Sequence, residues 1–247
     1  MIQVSDLSYA YGPVPALSRV SFRVQAGRTV ALLGANGSGK STLLTILSGL
    51  ISPGSGQVRV KDLVLPGQEK KVRRQVGLLL QDANLQILGA TVGEDLLLGH
   101  RGLGAGGDGA LARELAHRFG LQKAWDKPVH ALSGGQKRKL CLAAMLVRRP
   151  DVLLYDEPFS GLDYPASIEL RRHLRANREQ GLTQVIAVHD VEPIVDLVDR
   201  YLILEQGRLE FDGPGQEVMD RLTAHGIRPP CSWQVSRGLP PFGELEE

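Results

Sequence analysis

The chain has 247 residues, 43% of them hydrophobic and 23% charged, with a formal net charge of +2. Such a composition excludes a disordered, collagen-like or coiled-coil chain, and the length allows a core that needs no disulfide or structural metal. The small net charge argues against a protein that coats nucleic acid, and two distant cysteines, Cys141 and Cys231, give neither a disulfide framework nor a metal-ligand spacing.

The first residues, MIQVSDLSYAYG, lack a basic stretch followed by an apolar one and do not read as a secretion signal. Ile2, Val4 and Leu7, then Val20, Phe22 and Val24, alternate with polar residues and predict antiparallel strands broken at Gly12-Pro13 and Ala26-Gly27. Residues 29–33 form a nearly all-apolar run, the pattern of a strand buried on both faces. A glycine-rich turn and a helix over about 40–49 follow, then a turn and strand over 54–60 and a buried strand over 76–80. Residues 99–109 are dense in glycine and predict a flexible connection. Helical spacing returns at 111–119 and 134–147. Strands at 152–156 and 184–188 then alternate with helices at 165–179 and 191–198, and 201–205 with 208–212 reads as a hairpin. The expected fold is a parallel-sheet α/β core interrupted by a helical insertion. No run approaches the roughly 18 apolar residues of a membrane-spanning helix, so a membrane role would require a partner.

Gly34-Ala35-Asn36-Gly37-Ser38-Gly39-Lys40-Ser41-Thr42 matches the phosphate-binding pattern G-x-x-x-x-G-K-[ST], with a buried strand before it and a helix after it. Glycines let several backbone N–H groups converge on an anion, and the helix N-terminus adds partial positive charge. Lys40 then reaches the β- and γ-phosphates, and the Ser41 hydroxyl is a hard ligand for Mg²⁺. Further on, the apolar strand 152–156 ends in Asp156 and Glu157. Asp156 is placed to hold Mg²⁺ through water, and Glu157 to polarise a water for in-line attack on the γ-phosphate. Taken alone, these two would read equally well as an exposed acidic turn.

Leu132-Ser133-Gly134-Gly135-Gln136, lying between these two motifs and followed by a helix, resembles the signature of ATP-binding-cassette (ABC) ATPases. The other elements of that family follow in order. Gln81 resembles the glutamine of the Q-loop, residues 160–163 with Asp163 the D-loop, His189 the switch histidine, and Tyr11 the aromatic that stacks on adenine. The resemblance runs from Ile2 to about Pro230 and implies a P-loop NTPase core of mixed, largely parallel sheet. An N-terminal antiparallel β subdomain and an α-helical subdomain inserted at about 90–150 accompany it. Residues 1–228 form the cassette and 229–247 a C-terminal extension. It also implies a head-to-tail dimer, homodimeric or with a paralogous ATPase. Each ATP would lie between Asn36–Thr42 of one subunit and Ser133–Gln136 of the other, with Gln81 joining Ser41 and Asp156 at Mg²⁺ and His189 at the γ-phosphate.

Within the family, residues 76–86, Thr91-Val92-Gly93-Glu94-Asp95, Lys137-Arg138 after the signature, and residues 222–230 are similar to cobalt-importer and energy-coupling-factor ATPases. Departures are Leu79-Leu80, Ala83, Tyr155 and Phe159, none of which removes a catalytic group. That resemblance implies a peripheral ATPase on the cytoplasmic face of the cell membrane, powering import of a transition-metal ion or vitamin. Its partners would be a transmembrane coupling protein and a separate membrane substrate-binding subunit, with no nucleic acid. Docking is expected near Gln81, with Asp82, Glu94 and Asp95 offering carboxylates to arginines of the coupling protein. The same acidic residues also suit an ordinary helix start. The competing reading is a soluble ABC ATPase of nucleic-acid repair, translation or cluster assembly. The arginine pairs at 73–74, 148–149 and 171–172 read as solvated faces, Cys141 with Met145 as core contacts, and Cys231 with Trp233 as a local cap.

Overall fold

A computed structural model describes residues 1–101, 109–231 and 233. Part of the expected glycine-rich connection and most of the C-terminal extension lie outside the described residues. Strands β1 (Ile2–Tyr11) and β2 (Val14–Val24) form an antiparallel hairpin, and β3 (Thr29–Leu33) leads into helix α1 (Lys40–Leu47). Next come β4 (Ser55–Val60), β5 (Leu63–Leu65), α2 (Glu69–Gln75) and β6 (Val76–Leu79). The inserted helices are α3 (Val92–Arg101), α4 (Ala110–Arg118) and α5 (Gly134–Val147). The core resumes with β7 (Val152–Asp156), α6 (Tyr164–Glu179), β8 (Thr183–Val188), the hairpin β9 (Arg200–Glu205) and β10 (Arg208–Gly213), and α7 (Gly215–Met219).

Two sheets result, one of order β2-β1-β4-β5 and antiparallel, the other of order β10-β9-β3-β8-β7-β6. In the larger sheet β9, β3, β8, β7 and β6 run parallel and only the β9–β10 edge is antiparallel. The continuous apolar runs have their reason here. Val30 and Leu32 of β3 pack toward the antiparallel sheet and α1, while Ala31 and Leu33 pack toward the helical side with Tyr155 and Ile186. A strand buried on both faces has no polar side to alternate with. Register sets Leu33 beside Val188, and Asp156 beside Ala187, so the carboxyl ends of β3, β8 and β7 form one edge where a ligand is held in such sheets. Helix α5 lies against β6 because Gly77 has no side chain there: a Cβ would collide with Met145.

Three expectations are corrected. The helix expected over 191–198 is a single 3₁₀ turn, Glu192–Ile194. Apolar residues at helical spacing are buried there, but Pro193 O accepts from Arg171 Nη1 and Val195 O from Tyr201 Oη, so side chains take the carbonyls a helix would use. The glycine-dense stretch begins as helix, because α3 continues to Arg101. The arginine pairs are not simply solvated. Arg171 is buried and pairs with Asp196 at 2.9 Å, Arg148 Nη2 donates to Arg73 O at 2.6 Å, and Arg73 Nη1 donates to Gly49 O at 2.7 Å.

Cys141 and Met145 do lie in the core, and burial pushes the Cys141 thiol up to about 12. Thiolate is the reactive form, so about one Cys141 in 10⁴ is ionised at pH 8. Iodoacetamide applied to the native chain at that pH is therefore expected to modify the exposed Cys231 and to spare Cys141. Mass spectrometry of the tryptic peptides reads the result, and equal labelling would show that the signature helix opens readily.

Candidate nucleotide site

The loop between β3 and α1 is shaped by what cannot be added to it. A Cβ at Gly34 would strike Leu204 O and Ser38 Oγ, and one at Gly39, where φ is 105°, would stand 2.6 Å from Ala16 O. The loop is closed by Ser38 N donating to Ala35 O at 3.1 Å and tethered by Gly207 N donating to Ser38 O at 2.9 Å. At the head of α1, Gly39 supplies no side-chain cap, leaving the first-turn N–H groups open to an anion. Lys40 is buried and folds back over the loop, its Nζ donating to Gly34 O at 2.7 Å and Ala35 O at 3.2 Å.

Asp156 and Glu157 reach the same edge from β7. Ser41 donates to Asp156, yet burial outweighs this and holds the Asp156 carboxyl above its ordinary value; Glu157 adds to the rise and Lys40 opposes it. Glu157 has φ of 45°, in the left-handed region that a side chain rarely adopts, at a cost of roughly 1–3 kcal/mol. Its N–H donates to Ala187 O at 2.9 Å, which anchors the turn. Its carboxylate stands between two partners: Oε2 accepts from His189 Nδ1 at 2.8 Å, and Oε1 lies 3.5 Å from Lys40 Nζ.

A cavity of about 460 Å³ opens over these groups, lined by residues 36–42, Val14, Pro15, Ala16, Gln81 and Glu157. Ser38 Oγ, Asp156 Oδ1 and Glu157 Oε1 are buried at this site without a hydrogen-bond partner. Buried polar atoms are ordinarily satisfied, so these mark groups that a polyphosphate and its cation would complete. A larger cleft of about 770 Å³ near Arg23, Arg200 and Asp212 shares none of these residues, and Arg200 there is already paired with Asp212. We therefore place the chemistry at the smaller cavity.

The structure thus brings Asn36, Gly37, Ser38, Gly39, Lys40, Ser41, Thr42, Gln81, Asp156, Glu157 and His189 to one edge. Tyr11 stands at the end of β1, 54% exposed, paired with cavity-lining Val14 and edge-on to Tyr9 at 5.0 Å. Ser133, Gly134, Gly135 and Gln136 do not line the cavity. They open α5 with a reciprocal cap, Ser133 Oγ accepting from Gln136 N and Gln136 Oε1 from Ser133 N. Asp163 likewise caps α6, accepting from Ala166 N at 2.9 Å.

Of the expected docking carboxylates, Asp95 needs correction. Asp95 is 6% exposed, and its Oδ1 accepts from Leu88 N and Gly89 N, both at 2.8 Å, so it clasps its own loop. Glu94 stays exposed but accepts from Ala90 N and Thr91 N, and Asp82 accepts from Asn84 N. Asp82 and Glu94 thus order their own turns while remaining exposed, whereas Asp95 is turned inward. Arg138 entered the sequence reading only through the resemblance of Lys137-Arg138 after the signature, with no role assigned to it.

The ABC transporter family profile matches residues 17–160. The cobalt import ATP-binding protein CbiO of Rhodobacter capsulatus is 41% identical over 239 residues, covering 93% of this chain and 85% of the relative. CbiO1 of Clostridium perfringens, part of the ABC transporter complex CbiONQ, superposes with a TM-score of 0.76 at 30% identity over 89% of this chain and 90% of its own. A dimeric ATP-binding cassette solved after hydrolysis, with ADP and phosphate bound, gives a TM-score of 0.77 at 25% identity over 87% and 98%. A phosphate loop, paired carboxylates and signature helix on this fold make the chain a member of the ABC transporter ATPase family, whose hydrolysis of ATP is coupled to transport.

Proposed function

We propose that this chain is the ATP-hydrolysing subunit of an energy-coupling-factor type importer, for a transition-metal ion or a vitamin, on the cytoplasmic face of the cell membrane. The observation that carries this reading is a partly apolar groove bordered by exposed leucines that follow Gln81 in the chain. Leu85 and Leu88, just after Gln81, are 74% and 81% exposed. Leu88 lines a cavity of about 280 Å³ with Gly77, Leu78, Leu98, Ala144 and Met145, and with Gln86, Asp95 and Arg148 as its polar members. Large exposed leucines in one patch suit a protein partner, here a transmembrane coupling protein working with a separate substrate-binding subunit. Among the described residues no helix is long and apolar enough to cross a membrane, so the chain's link to the bilayer would be this contact.

At the site, the loop N–H groups and Lys40 would cradle the β- and γ-phosphates, and Tyr11 would stack on the base. Ser41, Gln81 and Asp156 are the groups that would hold Mg²⁺, which when bound neutralises charge on the transferring phosphoryl group. Glu157 would take a proton from the attacking water, with His189 fixing its carboxylate. Ser133–Gln136 would close the site from a second chain, identical or paralogous. Their position away from their own cavity, with Ser133 and Gly134 exposed and Gly135 and Gln136 half-buried, supports this arrangement. The residues 1–228 would act as one cassette with 229–247 as an extension. The soluble repair or translation reading is not favoured, since the relatives reported above are transporter ATPases.

Leu88→Glu is expected to release the chain from the membrane fraction, whereas Glu157→Gln leaves it there. Retention of Leu88→Glu on membranes would remove the groove from consideration. Uptake of divalent transition-metal ions and of vitamins by cells with the chain disrupted separates the cargo classes, and unchanged uptake of both overturns the importer reading.

A further inference from the structure

Arg138 lies in the second turn of α5, 8% exposed, and its guanidinium is divided between two loops of the nucleotide site. Nη1 donates to Leu80 O at 3.0 Å and Nη2 to Ser160 O at 3.4 Å. Leu80 is the residue before Gln81, and its N–H is held on the other side by Gln86 Oε1 at 3.0 Å, while Gln86 Nε2 donates to Leu78 O at 3.1 Å. Leu80, the residue from which Gln81 departs, is thus held at both its N–H and its C=O. Ser160 closes the turn that carries Glu157, its N–H donating to Glu157 O at 3.1 Å. A grip on Ser160 O therefore restrains the turn that keeps Glu157 at positive φ.

Burial works against the Arg138 charge and lowers its pKa from the ordinary value, with Cys141 and Asp82 opposing that shift. Two carbonyls in different directions suit the planar fork of a guanidinium. A lysine at this position would lack the two separate amino groups that point to the two carbonyls, so it reproduces the fork only in part. The neighbouring Lys137 binds Asn84 Oδ1 at 2.8 Å, so α5 is joined to the Q-loop twice. Of these two residues, Arg138 is the one that also reaches the loop after Glu157.

We propose that Arg138 is a positioning residue that locks Gln81 and Glu157 of one nucleotide site to the helix whose exposed N-terminus, Ser133–Gln136, serves the second site of a dimer. The proposal rests on the dimer reading given above. It predicts that chemistry suffers and nucleotide binding does not, because Arg138 touches neither the phosphate loop nor Lys40.

Steady-state ATP hydrolysis by the purified full-length chain tests this, with Arg138→Met, Arg138→Lys and Arg138→Gln. Arg138→Met is expected to lower kcat at least tenfold with KM for ATP within twofold, and Arg138→Lys, reproducing the fork only in part, to recover part of the loss. A parental kcat in Arg138→Met overturns the assignment, as does a loss spread equally over kcat and KM. Should Arg138→Met fail to fold, Arg138→Gln, which can still donate to one carbonyl, is judged by the same criteria. Ser133→Arg in the same assay separates the two ideas. If it hydrolyses ATP like the parent, the dimer reading fails; if it is inactive while Arg138→Met turns over at the parental rate, only Arg138 is misassigned.

Discussion

Glu157→Gln is expected to lower ATP turnover by about 10²–10⁴-fold while leaving ATP binding intact, the range that a positioned general base contributes. Glutamine preserves the size of the side chain and one acceptor oxygen, so His189 Nδ1 still has a partner at the position now 2.8 Å away. What is lost is the charged oxygen that, on this proposal, would receive a proton. That oxygen, Oε1, is the one without a hydrogen bond, facing the cavity and Lys40. With hydrolysis stopped and the phosphate loop unaltered, nucleotide should accumulate between two chains. Size-exclusion chromatography with ATP is expected to show a stable dimer for the variant, which disappears when nucleotide is withdrawn. Turnover at the parental rate would end the role assigned to Glu157.

How much of this was legible depended on how far apart the interacting groups lie. Strand β3 and strand β7 announce themselves, because a parallel strand buried on both faces must be apolar throughout. The phosphate loop was equally plain, since its glycines are required by collisions within a few residues or with a fixed neighbour such as Ala16 O. The failures share a cause. Pro193 O and Leu80 O are satisfied by guanidinium groups 22 and 58 residues away, and no local pattern records that. The 191–198 segment therefore looked helical, Arg171 looked like surface charge, and Arg138 was given no role of its own. Asp95 misled in a different way. An acid in the first turn of a helix is favoured by the helix dipole wherever it points, so its position could not show that its carboxylate turns inward to Leu88 and Gly89.

Lys40→Met should abolish more than it is usually asked to. Losing the ammonium removes the charge that, on this proposal, would meet the phosphates, so ATP affinity is expected to fall by about 100-fold or more and hydrolysis with it. Without nucleotide the same ammonium already has work in the fold: it satisfies Gly34 O and Ala35 O and stands 3.5 Å from Glu157, both side chains being buried. Removing one member of a buried pair costs roughly 3–5 kcal/mol where the other charge is left with no partner, and about 1–3 kcal/mol here, where Glu157 keeps His189. Urea unfolding of the nucleotide-free protein reads this directly. Adding Glu157→Gln to Lys40→Met removes the stranded charge, so the double variant should regain about 1–3 kcal/mol of the stability lost. It should regain none of the ATP affinity, because binding depends on the cation and stability on the pair. If Lys40→Met is as stable as the parent, the ion pair contributes nothing to the empty site. If the double variant recovers nucleotide binding as well as stability, Lys40 serves the fold rather than the phosphates.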